Sequence, residues 1–289
     1  LPPFKAAAEA GVATFMSAFS DLNGVPASGN KWLMSDILRD EWHYPGFVVS
    51  DWESISQLTT HGFSQNNKAA AFEAANAGID MEMVSTTYSE HLPSLLSEGR
   101  INEQQINQAV TKILQLKWDL GLFDHPYTDI NQLPKPLNLT HLNIAKEAVI
   151  KSCVLLKNDN NILPLKPESL DSIAVIGPLA DDPYEQLGTW IFDGNPQHSQ
   201  TCLTAIKAAL PVDSQVSYLK TLETSRSHDP SNFKLAVAAA SNADVALLVL
   251  GEESILSGEA HCRAEINLPG CQEQLIDAIA QTNTPIILV

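Results

Sequence analysis

Acidic side chains carry the first chemical interest of this chain. Asp51 closes the apolar run Gly46-Phe47-Val48-Val49-Ser50, which reads as a short buried strand, so its carboxyl group stands at a strand's carboxyl end. Barrels and open α/β sheets gather reactive groups there. The plainer alternative is that Asp51 caps a following helix, since Asp is a favoured N-cap. A second cluster follows Val245–Gly251, the strongest apolar run of the C-terminal half. Gly251-Glu252-Glu253-Ser254-Ile255-Leu256-Ser257-Gly258-Glu259-Ala260-His261-Cys262-Arg263 holds three acids in one loop. A carboxylic acid in such a loop donates protons near neutrality once partial burial raises its pKa. The bland alternative is a solvated acidic loop.

Other chemistries lose their evidence. There is no GxGxxG, GxxxxGK[ST], GxSxG or HExxH pattern, so dinucleotide, P-loop, serine-hydrolase and zincin readings fall away. The eight histidines are scattered, and His61, His91 and His261 read as surface or supporting groups rather than ligands. Four cysteines form no CxxC pair and have no His at finger spacing, so neither a metal site nor any cofactor is expected. Cys262 and Cys271 are close enough in sequence to bridge, but their pairing stays open. Asn138-Leu139-Thr140 fits a glycosylation sequon. With 17 Lys and Arg against 34 Asp and Glu, the net charge of -17 repels phosphate backbones and anionic lipid. Nucleic acid and membrane are therefore not expected partners, and no apolar run approaches the ~20 residues of a spanning helix.

The elements that must position these acids alternate. Val12–Phe19 reads as a strand, Asn23-Gly24-Val25-Pro26 as a turn and Lys31–Arg39 as a helix. Gly46–Asp51 is the next strand, Asn67–Ala77 a helix, and Ile79–Met83 a third strand. About three β–α repeats of a parallel sheet result. Met16, Met81 and Met83, lying on strands, are core residues by default. Tyr88–Leu122 is helical, with Gly121 placed to end it. Residues 123–140, rich in proline and polar residues, read as a linker. Beyond it, strands at Ser172–Gly177, Val216–Leu219, Val245–Gly251 and Pro285–Val289 alternate with helices at Leu203–Leu210, Lys234–Ser241 and Gln272–Ala280, after a helix at Asn143–Ser152. This is an open α/β sheet covered on both faces. The chain opens in mid-pattern at Leu1 and closes on an apolar run, so truncation at both ends is expected.

Several longer motifs resemble glycoside hydrolase family 3, in particular its two-domain β-glucosidases of the periplasmic bacterial type. They include Leu1-Pro2-Pro3-Phe4-Lys5-Ala6, Asn23-Gly24-Val25-Pro26, Gly46-Phe47-Val48-Val49-Ser50-Asp51-Trp52 and Ala77-Gly78-Ile79-Asp80-Met81-Glu82-Met83. Lys117-Trp118-Asp119-Leu120-Gly121-Leu122-Phe123 and Val154-Leu155-Leu156-Lys157-Asn158 continue the likeness, which covers nearly the whole chain. It implies the C-terminal part of a (β/α)8 barrel over 1–122, the linker 123–140, and an open α/β sandwich domain over 141–289. By the same resemblance Asp51 is the nucleophile of a retaining β-glycosidase and Glu259, in Ser257-Gly258-Glu259-Ala260, its general acid/base, with Glu252 and Glu253 as alternatives. Asp51 is expected to stay ionised beside hydrogen-bond donors and cations, and Glu259 to be partly buried.

Met16, Trp52 and Trp190 match residues lining the sugar site, although Trp190 taken by itself also reads as a core or hinge residue. Phe19 stands where many relatives carry Tyr. The resemblance implies a terminal β-linked glucose, in an oligosaccharide or aryl glucoside, as substrate. A β-xylosidase or β-N-acetylglucosaminidase is the alternative, and a non-catalytic carbohydrate-binding protein a further one. It also implies export to the periplasm or outside the cell. An upstream barrel segment that grips the nonreducing sugar, and downstream residues of the same parent protein, would be needed as partners, because about three of eight barrel strands leave unpaired edges. Alone, the 289-residue chain is expected to be inactive or poorly folded.

Overall fold

In the computed structural model, which describes residues 1–289, helix α1 (Pro2–Glu9) leads into strand β1 (Thr14–Met16). A hairpin of β2 (Asp21–Leu22) and β3 (Val25–Pro26) follows. Its two turn residues, Asn23 and Gly24, both have positive φ, at 55° and 77°, the geometry that makes Asn-Gly a favoured two-residue connection. The expected helix at 31–39 is present as Trp32–Glu41, but it winds with i→i−5 hydrogen bonds, the last from the Trp42 amide to the Ile37 carbonyl at 2.9 Å. Then come β4 (Phe47–Trp52), α2 (Asn67–Ala77), β5 (Met81–Met83), α3 (Thr87–Ser97) and α4 (Glu103–Asp119).

Residues 1–133 and 134–289 are two compact units. In the first, β1, β4 and β5 form a three-stranded parallel sheet in that order. Helix α2 packs through Ala70, Ala71, Ala74 and Ala77, all fully buried, and such small side chains let its backbone approach closely. Asn66 caps its start by accepting the Ala69 amide at 3.0 Å, and Gly78 ends it with φ 104°. β1 is shorter than the apolar run predicted, because the chain leaves the sheet after Met16. Only the Ser17 amide still reaches the Val49 carbonyl.

One buried carboxylate ties this unit together. Asp80, 6% exposed at its side chain, accepts from Arg39 Nη2 at 2.6 Å, the Val48 amide at 2.9 Å and Lys112 Nζ at 2.7 Å. Arg39 also donates to the carbonyls of Tyr44 and Gly46 and lies over the Tyr44 ring, 5.2 Å from its centroid. Burial lowers the Arg39 pKa, with Asp80 opposing that shift. Burial likewise pushes the Tyr44 phenol up to about 12, the Arg39 charge offsetting part of the effect. Thus the i→i−5 helix, α4 and the strands β4 and β5 meet at one group.

In the second unit α5 (Leu139–Ser152) begins earlier than its apolar pattern, because the Asn138 side chain accepts the Thr140 amide at 2.9 Å. β6 (Ser172–Ile176), α6 (Cys202–Ala209), β7 (Gln215–Leu219), α7 (Phe233–Ser241), β8 (Val245–Leu248), α8 (Gln272–Ala280) and β9 (Ile286–Leu288) then alternate. The four strands are parallel in the order β7-β6-β8-β9. The central strands are apolar on both faces. Ala174, Ile176, Ala246 and Leu248 pack with Ala236, Ala240, Leu275 and Ile279 of α7 and α8. Ile173, Val175, Val245 and Leu247 pack on the other side with Leu203 of α6 and Leu163–Leu170. The continuous hydrophobic runs of the sequence follow from this double burial.

Replacing Asp80 by Ala strands the Arg39 cation in a buried site, and removal of one partner from such a pair costs about 3–5 kcal/mol. Urea unfolding followed by far-UV circular dichroism should show a loss of that size for Asp80→Ala. A loss under about 1 kcal/mol would mean that the cations find water or other partners.

Candidate active site

In the first unit the side chains of interest sit where parallel strands end. Met16 ends β1 and lies in register with Val49, and Asp51 and Trp52 end the neighbouring β4. Register between β4 and β5 shifts between Val49/Met81 and Trp52/Met83, so Ser50 and Asp51 stand opposite Glu82 alone. Such a bulge re-aims side chains near a strand's end. Ser50, fully buried, fills the interrupted ladder: its Oγ accepts the Met83 amide at 2.8 Å and donates to the Asp51 carbonyl at 2.9 Å.

The Asp51 carboxylate is part exposed and accepts only the Trp52 amide, at 2.7 Å. No helix amide reaches it, so Asp51 does not act as a helix N-cap. No Lys or Arg of the chain pairs with it, although a neighbouring positive charge is expected there; Arg39 and Lys112 both pair with Asp80. Around the bulge, Glu53 has φ 55° and Val84 φ 69°. The Ser85 amide closes a γ-turn over Val84 onto the Met83 carbonyl at 2.9 Å. Glu82 caps α3, taking the amides of Thr87 at 3.1 Å and Tyr88 at 2.7 Å. Behind the strand ends, buried Ser17, Ser28 and Ser54 form a chain of hydroxyl contacts, each 2.8 Å. It links the residue after Met16 to the turn after Asp51.

Met16 is 54% and Trp52 58% exposed. The core placement expected of strand methionines therefore fails for Met16, and Met81 is also exposed. Met16 is the last residue of β1 and Met81 the first of β5.

In the second unit the strand order reverses between β6 and β8, the crevice in which open α/β sheets take their ligands. Gly177, just past β6, has φ 131°, and a Cβ there would lie 2.2 Å from the Val249 carbonyl oxygen. Only glycine lets the two loops leave the sheet so close together. The loop after β6 supplies Thr189, Trp190, Ile191 and Phe192, the loop after β8 supplies Ser257, Gly258, Glu259 and His261, and together they line one cavity. Gly258, at φ 99°, abuts Thr189 so tightly that a Cβ would come within 2.9 Å of its Oγ1. Trp190, 60% exposed, is not a core residue; its ring lies 5.7 Å from that of Phe192, tilted by 51°. Phe192 escaped notice in the sequence, where nothing but its spacing of two from Trp190 marks it.

The three acids of the second loop have different fates. Glu252 is ion-paired with Arg263. Glu253 accepts from Ser225 Oγ at 2.7 Å and Arg226 Nε at 3.0 Å. Burial alone would raise the Glu253 carboxyl, but these hydrogen bonds and the Arg226 charge bring it below the ordinary Glu value. Glu259 makes neither a hydrogen bond nor an ion pair and is exposed rather than partly buried. No group of three His, Cys, Asp or Glu side chains is arranged to hold a metal ion. No helix is long and apolar enough to cross a membrane.

Residues 1–116 match the family model for the glycosyl hydrolase family 3 N terminal domain, and residues 153–289 match that for its C-terminal domain. The chain belongs to glycosyl hydrolase family 3. It is 35% identical to a periplasmic beta-glucosidase of Salmonella typhimurium, matching 100% of this chain and 41% of that protein. A beta-xylosidase of Formosa agariphila is 36% identical, again over 100% of this chain and 42% of the relative. The crystal structure of a beta-glucosidase from Listeria innocua in complex with glucose superposes with a TM-score of 0.91 at 35% identity, covering 100% of this chain and 39% of that one. The chain thus spans about two fifths of the length of these family members.

Because the folded pKa of Glu253 is depressed, its contribution to stability is present above the unfolded value, near 4.5, and is lost as pH falls through the folded value. Thermal melts of the protein and of Glu253→Gln should differ at pH 7 and converge in acid. A gap that persists unchanged well below pH 4 would show that the carboxylate's charge contributes nothing.

Proposed function

We propose that this chain carries the two catalytic carboxyl groups of a retaining β-glycosidase, with Asp51 as nucleophile and Glu259 as general acid/base. The observation that carries the reading is the contrast among the acids. Asp51, next to the last residue of β4, and Glu259, in the loop after β8, each keep a free carboxylate oxygen and have an exposed tryptophan nearby in sequence or cavity, while Asp80, Glu82, Glu252 and Glu253 are all engaged in structural bonds. Family membership supplies the reaction class.

In the first step the Asp51 carboxylate attacks the anomeric carbon while the Glu259 carboxyl donates its proton to the glycosidic oxygen, and the C–O bond to the leaving group breaks. A glycosyl ester on Asp51 results. Glu259, now ionised, then takes a proton from water, which attacks the same carbon and frees Asp51. The chemistry requires the two carboxyl groups about 5–5.5 Å apart. Met16, Trp52 and Trp190 offer apolar surface for the faces of the sugar rings.

Terminal β-linked glucose is the proposed substrate, in line with the relative from Salmonella typhimurium and the glucose-bound Listeria innocua structure. The Formosa agariphila relative, equally similar, favours β-xylosides as the second reading. The groups that grip the nonreducing sugar would come from an additional barrel segment. The name of the Salmonella typhimurium protein supports a periplasmic location.

The test is covalent trapping of the full-length parent with 2-deoxy-2-fluoro glucosides and xylosides, followed by peptide mapping. A label on Asp51 from the glucoside is the expected result. A label from the xyloside alone would replace glucose by xylose, and a label on another residue would remove Asp51 from its role. Asp51→Asn should lower kcat by roughly 10⁴-fold or more.

A further inference from the structure

The loop that carries Glu259 is closed at its neck. Glu252 and Arg263, 11 residues apart, are ion-paired by their side chains, and Arg263 Nη2 also donates to the Asn267 carbonyl at 2.7 Å. The Glu252 end rests on a rigid base. The fully buried Gln272 accepts the Gly251 amide at 2.9 Å and donates to the Gly251 carbonyl at 2.8 Å, and the same amide nitrogen contacts the carbonyls of Ser225 and Pro269. Glu253 is tied to Ser225 and Arg226, and the Ser254 amide donates to Glu185. From Gly258 to Ala260 the backbone holds only the contact of Gly258 with Thr189 and the His261 amide bonded to the Gly258 carbonyl at 3.2 Å. The segment bearing Glu259 thus hangs between a fixed base and one ion pair.

We propose that the Glu252–Arg263 pair is a clasp that positions Glu259 for proton transfer, making Glu252 and Arg263 positioning residues; this rests on the assignment of Glu259 as acid/base. The magnitudes separate this role from a structural one. The pair lies near the surface, with side chains 39% and 21% exposed, where ion pairs add little to stability. A catalytic group displaced by about 1 Å costs on the order of 100-fold in rate. Loss of the clasp therefore acts on chemistry far more than on folding.

The experiment uses the full-length parent and its variants Glu252→Gln, Arg263→Met, the charge swap E252R/R263E, and Glu259→Ala. Each is assayed on aryl β-glycosides of the sugar it hydrolyses, with leaving groups from phenol to 2,4-dinitrophenol, with and without azide. Protonation matters for phenol and hardly at all for dinitrophenol. The clasp variants should lose roughly 10–100-fold in kcat/KM, which reports the first step, on the phenyl glycoside, much less in kcat/KM on the dinitrophenyl glycoside, and respond to azide, with melting temperatures nearly unchanged. The swap should recover at least tenfold over the weaker single variant. Equal losses for every leaving group, no loss at all, or no recovery in a folded swap variant would each overturn the clasp. Should Arg263→Met not fold, Glu252→Gln decides alone by the same criteria. Glu259→Ala is the control. If it shows the leaving-group and azide signature and the clasp variants do not, the clasp alone falls; if it lacks that signature, the acid/base assignment falls and takes the clasp with it.

Discussion

A parallel strand can be followed only by a crossover that carries the chain back to its starting edge, so every strand of such a sheet releases its loop at the same end. Both units obey this constraint. It places Met16 beside Asp51 and Trp52 without any contact between their side chains having to be specified, since β1 and β4 are neighbours in register. It likewise places Trp190 beside Glu259, because β6 and β8 are adjacent although 69 residues separate the two side chains in sequence. Neither grouping depends on local sequence pattern. Each follows from strand order.

Around those strand ends the polar groups divide into two populations. Ser50, the Ser17–Ser28–Ser54 chain, Asp80 and Gln272 are buried and saturated with hydrogen bonds, which is the condition for keeping polar atoms out of water. Asp51, Trp52, Trp190 and Glu259 project from that framework with few partners of their own. The hydrogen-bonded part lies beneath and the groups proposed for chemistry on top. Ser50 shows how closely the two are joined: its hydroxyl replaces the ladder bond lost at the bulge, and the bulge is what turns Asp51 away from the regular alternation of the strand.

Much of this architecture is legible in the chain itself. The run Gly46–Asp51 announces a buried strand ending in an acid, and the unbroken apolar stretches around Ile173 and Val245 announce strands covered on both sides. What escapes is whatever depends on a partner distant in sequence. Residues Lys31–Arg39 show helical spacing, but so short a stretch does not separate a turn of 3.6 from a wider one, and the i→i−5 winding is invisible. Strand β1 stops at Met16 where its apolar pattern runs on, since pattern records side-chain type and not where the neighbouring strand ends. The three acids after β8 look alike until Arg263 and Arg226 are seen to claim two of them. The convergence of Arg39 and Lys112 on Asp80 is equally unreadable, since the three residues lie far apart in sequence.

Val84 carries a further meaning. A β-branched residue at φ 69° stores strain of about 1–3 kcal/mol, and such strain persists only where the surroundings over-determine it. Here the Ser85 amide and the Glu82 carboxylate, bonded on either side to the γ-turn and to α3, supply that over-determination. A residue with no side chain would rest there at ease and keep the same turn, so the strain comes from the valine and not from the shape beside Asp51. Relieving it leaves the geometry next to the strand end in place, and what sets the gain is the extra freedom that glycine has in the unfolded chain.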